Sequence, residues 1–340
     1  MNNPFKRLES VMSDLKSTLT VLVLLDAQTG ASPRRVLFEP GSPKTVLVIF
    51  DDAPPQLHDL TKCQLQGNKE RGYVVELNEK SLRSTFFRST AGAAVYHPCA
   101  SQLALSFVDD CCIYRIDLGR DQLLEPIYCQ FASADEWPVS LTYGDEGQLL
   151  AVGGSKGTIL VFRISADGES ELELSASVPG AAQELTFSVV TGELLVATDF
   201  NCLFSMGLAD EAEPVRLGAL IDDQQQVNNM CLKTITCDSN TGLVAYAGVG
   251  NQLFVSNPLR HKGVRPCLRS MNRISSLQFV PDSNTLVVLG DGGIELIEFT
   301  LDDFRMPVFQ PKTMRFQPAL EAVGCHHFGN FLFILALLPE

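Results

Sequence analysis

Along this chain apolar residues gather in short runs closed by Gly, Asp or Pro turns, most clearly over residues 140–164, SLTYGDEGQLLAVGGSKGTILVFRI. Apolar and polar positions alternate through Leu141-Thr142-Tyr143, and a Gly-Asp-Glu-Gly turn follows. The apolar run 149–152 then leads through Gly153-Gly154-Ser155-Lys156-Gly157 into Thr158–Ile164. Alternation marks a half-buried strand, and a short uninterrupted apolar run marks a fully buried one. This stretch therefore predicts a three-stranded meander with no space for a helix.

The unit recurs seven times. Its first strands are anchored at Phe38, Tyr96, Tyr143, Phe187, Cys237, Phe279 and Cys325, at spacings of 58, 47, 44, 50, 42 and 46 residues. All but the longest lie near the roughly 40–45 residues of a four-stranded propeller blade, and the longest leaves room for an insertion. Third strands are expected at 112–116, 158–164, 202–206, 252–255 and 294–299. Two elements precede the repeats. Asn3 as N-cap, Pro4 at the first helical position and the stripe Phe5, Leu8, Val11, Met12 and Leu15 predict a helix over 3–17. The stretch LTVLVLLDA at 19–27 predicts a strand too apolar for an exposed edge, one that needs neighbours on both sides.

The repeats resemble the WD-repeat family of β-propellers, notably in GGSKGTILVFRI, LQFVPDSNTLVVLGDGGIELIEF and VYHPCASQLALSFVDDCCIYRI, and the resemblance spans about residues 34–337. It is degenerate: Trp137 is the one tryptophan, no Trp-Asp pair ends a third strand, and no Gly-His pair precedes a first strand. The resemblance implies an all-β fold, a seven-bladed β-propeller with a short N-terminal α-helix. Residues 1–18 are then a helical extension and 19–340 a single propeller domain. A ring of sheets must hide its edges, and the seventh repeat has two strands before the sequence stops. The strand 19–27 is therefore expected to join the last blade and close the ring.

Composition sets limits on function. Of 340 residues, 45% are apolar and 19% charged, a globular composition. The net charge of −14 disfavours general binding to phosphate backbones, which needs clustered Lys and Arg. The ten cysteines sit at strand-like positions, as small buried hydrophobes do in a reducing compartment. The longest apolar run, 331–338, is far shorter than the roughly 20 residues that span a bilayer. A cytoplasmic or nuclear protein is expected, with no membrane span.

Candidate chemistry is sparse. Cys325-His326-His327 alternate across the faces of an expected strand, so at most two share a site, and Cys111-Cys112 are likewise expected to point to opposite faces. The glycines of 153–157 join two strands instead of opening a helix, and so form a hairpin, not a phosphate loop. None of the five histidines lies in a nucleophile motif. No catalytic residue, metal or cofactor is expected. The most distinctive charge feature is 257–273, NPLRHKGVRPCLRSMNR, where Arg260, Lys262, Arg265, Arg269 and Arg273 occur without a single acid on an acidic chain. It is either a solvated outer strand or a contact surface for an acidic partner segment. Further candidate contacts are Leu8, Met12 and Leu15 on the N-terminal helix, Phe86 and Phe87 in RSTFFR, and the connections 57–71 and 217–229.

A rigid ring with unequal loops and no assembled active site is, by its resemblance to the WD-repeat family, a non-enzymatic scaffold or adaptor subunit that holds other proteins in a larger complex. The alternatives are a propeller-type exchange factor for a small GTPase, and a hydrolase with a metal in the central channel. A basic peptide such as a histone tail is a further possible ligand for one face of the ring.

Overall fold

The computed structural model describes residues 19–25, 33–40, 44–63, 65–68, 72–77, 87, 89–200, 202–208, 213–219, 232–238, 241–248, 252–256, 265–268, 274–280, 285–290, 293–301, 307–315, 321–328 and 331–337. The helix expected over 3–17 lies outside them. What is described is almost wholly strand, arranged in seven sheets. In chain order, sheet I contains Pro33–Phe38, Thr45–Phe50 and Gln56–Asp59. Sheet II runs Ala91–Tyr96, Gln102–Phe107 and Cys112–Asp117, with an outer strand split into Gln122–Leu123 and Ile127–Tyr128. Sheet III follows the template of the sequence and adds a fourth strand: Pro138–Gly144, Leu149–Gly154, Thr158–Ile164 and Ser170–Ser177.

Sheet IV is built from Ala182–Phe187, Leu194–Thr198, Cys202–Met206 and Val215–Ala219. Sheet V is Leu232–Cys237, Val244–Gly248, Gln252–Ser256 and Arg265–Leu268, and sheet VI is Ile274–Val280, Thr285–Gly290, Gly293–Leu301 and Pro307–Arg315. Every pairing within these six sheets is antiparallel.

Sheet VII differs. The hairpin of Glu321–Phe328 and Phe331–Leu337 is continued by Leu19–Leu25, which runs parallel to Phe331–Leu337 with Leu19 opposite Phe331. Beyond it Gly72–Leu77 adds a second parallel pairing, and Leu65–Asn68 ends the sheet. The segment 57–71, expected as a surface loop, is thus largely secondary structure. Leu57, His58, Leu60 and Cys63 are buried, because they continue sheet I and its following 3-10 turn at Leu60–Lys62.

Why the second strands are mostly apolar on both faces follows from the packing. Each sheet of the described core has neighbours on both faces, so alternate residues serve two cores. Leu149 and Ala151 pack with Leu185, Leu194 and Val196 of sheet IV, whereas Leu150 and Val152 pack with Ala104, Ile113 and Ile127 of sheet II. The same division repeats between sheets IV and V, where Leu195 and Ala197 meet Val244 and Tyr246, and between V and VI, where Ala245 and Val255 meet Leu286 and Val288. First strands lie beside first strands: that of sheet II against III, III against IV, IV against V, V against VI, and Glu321–Phe328 against those of both VI and I.

All seven first strands carry a register shift near their start, at Pro33/Arg35, Ala91/Ala93, Pro138/Ser140, Ala182/Glu184, Leu232/Thr234, Ile274/Ser276 and Ala322/Gly324. A bulge leaves backbone groups without a ladder partner, and the neighbouring sheet supplies one. Arg34 donates to the carbonyl oxygens of Ala91 (2.8 Å) and Gly92 (2.9 Å), Ser106 to that of Pro138 (3.3 Å) and Ser140 to that of Ala182 (2.5 Å). The bulge fixes equivalent positions across the repeats. Counted from it, Phe38, Tyr96, Tyr143, Phe187, Cys237 and Phe279 are equivalent, but their counterpart in sheet VII is His327 opposite Leu332, not Cys325.

Candidate functional site

The turns of this fold are held by carboxylates. Glu136, buried just ahead of sheet III, accepts from the Lys156 and Thr158 amides through Oε1 (3.1 and 2.9 Å) and from the Thr158 hydroxyl through Oε2 (2.7 Å). Asp199 accepts the Ala181 amide at 2.9 Å. Between sheets I and II, Glu39 accepts from Thr45 (3.1 Å) and Ser101 (2.6 Å), and Thr45 also bonds the Tyr96 hydroxyl.

A groove among the described residues is large enough for a ligand. It has a volume of about 980 Å³, lies between sheets II and III, and is lined by His97, Arg115, Tyr143, Arg163 and the acidic turn 165–169. His97 follows the first strand of sheet II, and its Nδ1 accepts the amides of Cys99 (3.1 Å) and Ala100 (2.9 Å). Its ring tilts against Tyr143 at 4.9 Å and its far edge meets the Gly147 backbone, where a Cβ would stand 2.0 Å from Nε2. Burial holds the imidazole below its ordinary pKa, against a hydrogen bond with the Gly147 backbone. Both contacts fix the ring between the turn 97–100 and the Gly147 backbone.

Arg115 is buried in the groove wall and donates to the carbonyl oxygens of Gly168 (2.5 Å) and Glu125 (3.1 Å). Desolvation lowers its pKa, with Tyr143 and Glu125 opposing. Carbonyls thus hold the guanidinium in place, and it ties the 165–169 turn to sheet II. The groove combines fixed cations with the acids of its rim.

The candidate contact residues fall as follows. Leu8, Met12, Leu15, Phe86, Arg260, Lys262, Arg269 and Arg273 lie outside the described residues. Arg265 opens the outer strand of sheet V, opposite Val255. Leu217, Gly218 and Ala219 belong to the outer strand of sheet IV, and the rest of 217–229 lies outside the described residues. Phe87 is a correction: it is buried with Leu47, Ile49, Tyr96 and Leu103 in the core between sheets I and II, and so is not presented to a partner. Cys111 and Cys112 are a second correction. Cys111 precedes the strand Cys112–Asp117, so strand alternation does not separate them, and their sulfurs lie within 4.8 Å of each other.

Sequence patterning missed an apolar rim. Tyr128 (67% exposed), Leu123, Leu172 and Val215 stand out from the outer strands of sheets II, III and IV, and Phe200 (65% exposed) from a turn of sheet IV. Outer strands are short and mixed in composition, so their apolar residues do not announce which side they face.

No family model and no curated protein matches this sequence. Among solved structures the chain is similar to the β-propeller domain of Cps50 (Swd1) from Myceliophteria thermophila, with a TM-score of 0.52 at 15% identity, over 76% of this chain and 93% of that one. The fold is therefore that of a β-propeller, all-β, with six antiparallel sheets and a seventh of mixed pairing. Among the described residues no helix is long and apolar enough to cross a membrane.

Proposed function

We propose that this protein is a non-enzymatic interaction platform, a seven-bladed propeller spanning residues 19–340 that acts as a scaffold or adaptor subunit in a larger protein assembly of the cytoplasm or nucleus. The observation that carries this is that the outer strands of three successive sheets each expose a large apolar side chain, Tyr128, Leu172 and Val215. Large apolar side chains exposed to solvent are the material of protein contact sites. The engaged nitrogens of His97 and the carbonyl-bound Arg115 support a structural role for the groove. The basic segment 257–273 adds a second surface, of opposite sign to the rest of an acidic body. Blade count and closure rest on the cyclic order of the first strands and on the pairing of Leu19–Leu25 with Phe331–Leu337.

The test is affinity purification of the tagged full-length protein from its native cells, beside two folded variants. One carries Tyr128→Ser with Leu172→Ser and Val215→Ser. The other replaces Arg260, Lys262, Arg265, Arg269 and Arg273 with Ser. Stoichiometric partners that survive gel filtration with the wild type, and are lost with one variant, are expected. A wild-type protein that elutes alone at every salt concentration would overturn the platform role.

A further inference from the structure

The turn joining the second and third strands of sheet II gathers thiols around a carboxylate. Asp109 takes a positive φ of 63° there, and the chain then brings one ligand atom each from Asp110, Cys111 and Cys112 within 4.8 Å of the others. Asp110 is already oriented: its Oδ1 accepts the Cys112 amide at 3.0 Å and its Oδ2 the Tyr114 hydroxyl at 2.9 Å. Cys111 is exposed and Cys112 buried. A third thiol stands across the strand pair. Tyr128 pairs with Cys112, and the Cys129 amide donates to the Cys111 carbonyl at 2.8 Å, which sets buried Cys129 opposite Cys111.

We propose that Asp110, Cys111 and Cys112 form a binding site for zinc or a comparably thiophilic divalent cation. Two sulfurs and a carboxylate oxygen are ligand types that zinc takes, at about 2.3 Å for sulfur and about 2.0–2.2 Å for oxygen. Ligands on such a tetrahedron lie about 3–4 Å apart, so side-chain rotation closes the cluster without moving the strands. The Tyr114 hydroxyl serves the carboxylate as an outer hydrogen bond serves a ligating group, and exposed Cys111 gives the cation a route from solvent. As two sulfur–metal bonds form, each thiol gives up its proton to solvent. The bound cation would clasp the turn between the second and third strands of sheet II.

The experiment uses the reduced full-length protein, stripped of metal by a chelator and titrated with Co²⁺, then with Zn²⁺ in competition. The expected result is one equivalent of Co²⁺ with thiolate-to-cobalt charge-transfer absorption, displaced by Zn²⁺. Cys111→Ser with Cys112→Ser abolishes that absorption, Asp110→Asn weakens binding at least about tenfold, and Cys202→Ser changes neither. No charge-transfer band in the wild type, or a band retained by the double variant, overturns the site. Should the double variant fail to fold, alkylation of Cys111 in the unmutated protein decides. Zn²⁺ is expected to slow it at least about tenfold, and an unchanged rate overturns the proposal.

Discussion

The Arg35 guanidinium lies 3.0 Å from the Glu184 carboxylate, although one stands in the first strand of sheet I and the other in that of sheet IV. These strands are not neighbours, so the pair bridges the interior that the first strands share, beside Arg34 and its bonds to sheet II. Burial raises the pKa of Glu184 above its ordinary value, with Arg35 and then Arg34 pulling it down. Desolvation therefore outweighs attraction, and the ionised carboxylate is a net cost to folding. Glu184→Gln, which keeps an acceptor for Arg35, is expected to leave stability at pH 7 unchanged or slightly higher, and Glu184→Ala to cost about 1–3 kcal/mol. Because the folded pKa is the raised one, wild-type stability relative to Glu184→Gln falls as pH rises through it. Urea unfolding of the three proteins across pH checks both statements.

A second expectation concerns the turn held by Glu136. Glu136→Ala strands three donors, the Lys156 and Thr158 amides and the Thr158 hydroxyl, in a buried position. The cost is expected at about 2–4 kcal/mol. Thermal unfolding reads it, and a loss below about 1 kcal/mol would mean that water replaces the carboxylate.

Much of this was legible from the repeat alone. Six of the seven anchor residues occupy equivalent places because alternation and turn chemistry fix a strand's register locally. The seventh slipped by two residues, to Cys325 in place of His327, since apolar positions fill Glu321–Phe328 on both sides of the bulge at Ala322/Gly324 and mark no unique anchor. The segment 57–71 misled for a related reason. It contains charged and amide residues, yet Leu57, Leu60 and Cys63 turn inward, and the strand that follows pairs with a segment far away in sequence. Long-range pairing leaves no local trace. Nor do the engaged nitrogens of His97 or the grouping of Asp110, Cys111 and Cys112, which depend on turn geometry finer than a strand pattern.

Two glycines separate steric from conformational cost. Gly157 has φ of +99°, and a Cβ there would stand 2.1 Å from the Val178 carbonyl oxygen and 2.5 Å from that of Gly180. Gly168 has φ of +90° with nothing within 4 Å of its Cβ position. Gly168→Ala is expected to cost about 1 kcal/mol, and Gly157→Ala about 1–3 kcal/mol more from overpacking. Equal losses in unfolding midpoint would show that the hairpin relaxes around the methyl group.

His58 gives a pH dependence of opposite sign to Glu184. It is 2% exposed in the third strand of sheet I, bonded to Gln56 at 3.2 Å, and burial lowers its pKa to about 4. A depressed histidine favours the neutral form, so its contribution is present above the unfolded value near 6.5 and is lost as pH falls towards 4. The loss is expected to be on the order of 3 kcal/mol across that window. His58→Leu, which stays neutral, should flatten the slope between pH 6.5 and 4. An unchanged slope would assign it to other groups.

The parallel strand Leu19–Leu25 sets the order in which the molecule is made. Its partner Phe331–Leu337 is synthesised nearly a whole chain later, so at roughly 5–20 residues per second the early strand waits on the order of tens of seconds for half of its ladder. During that interval sheets II to VI assemble from contacts between neighbours in sequence, while a β-rich edge stays open to any other nascent chain. A chain cut short before Phe331 would keep that edge of Leu19–Leu25 without its partner, a template for pairing with other chains.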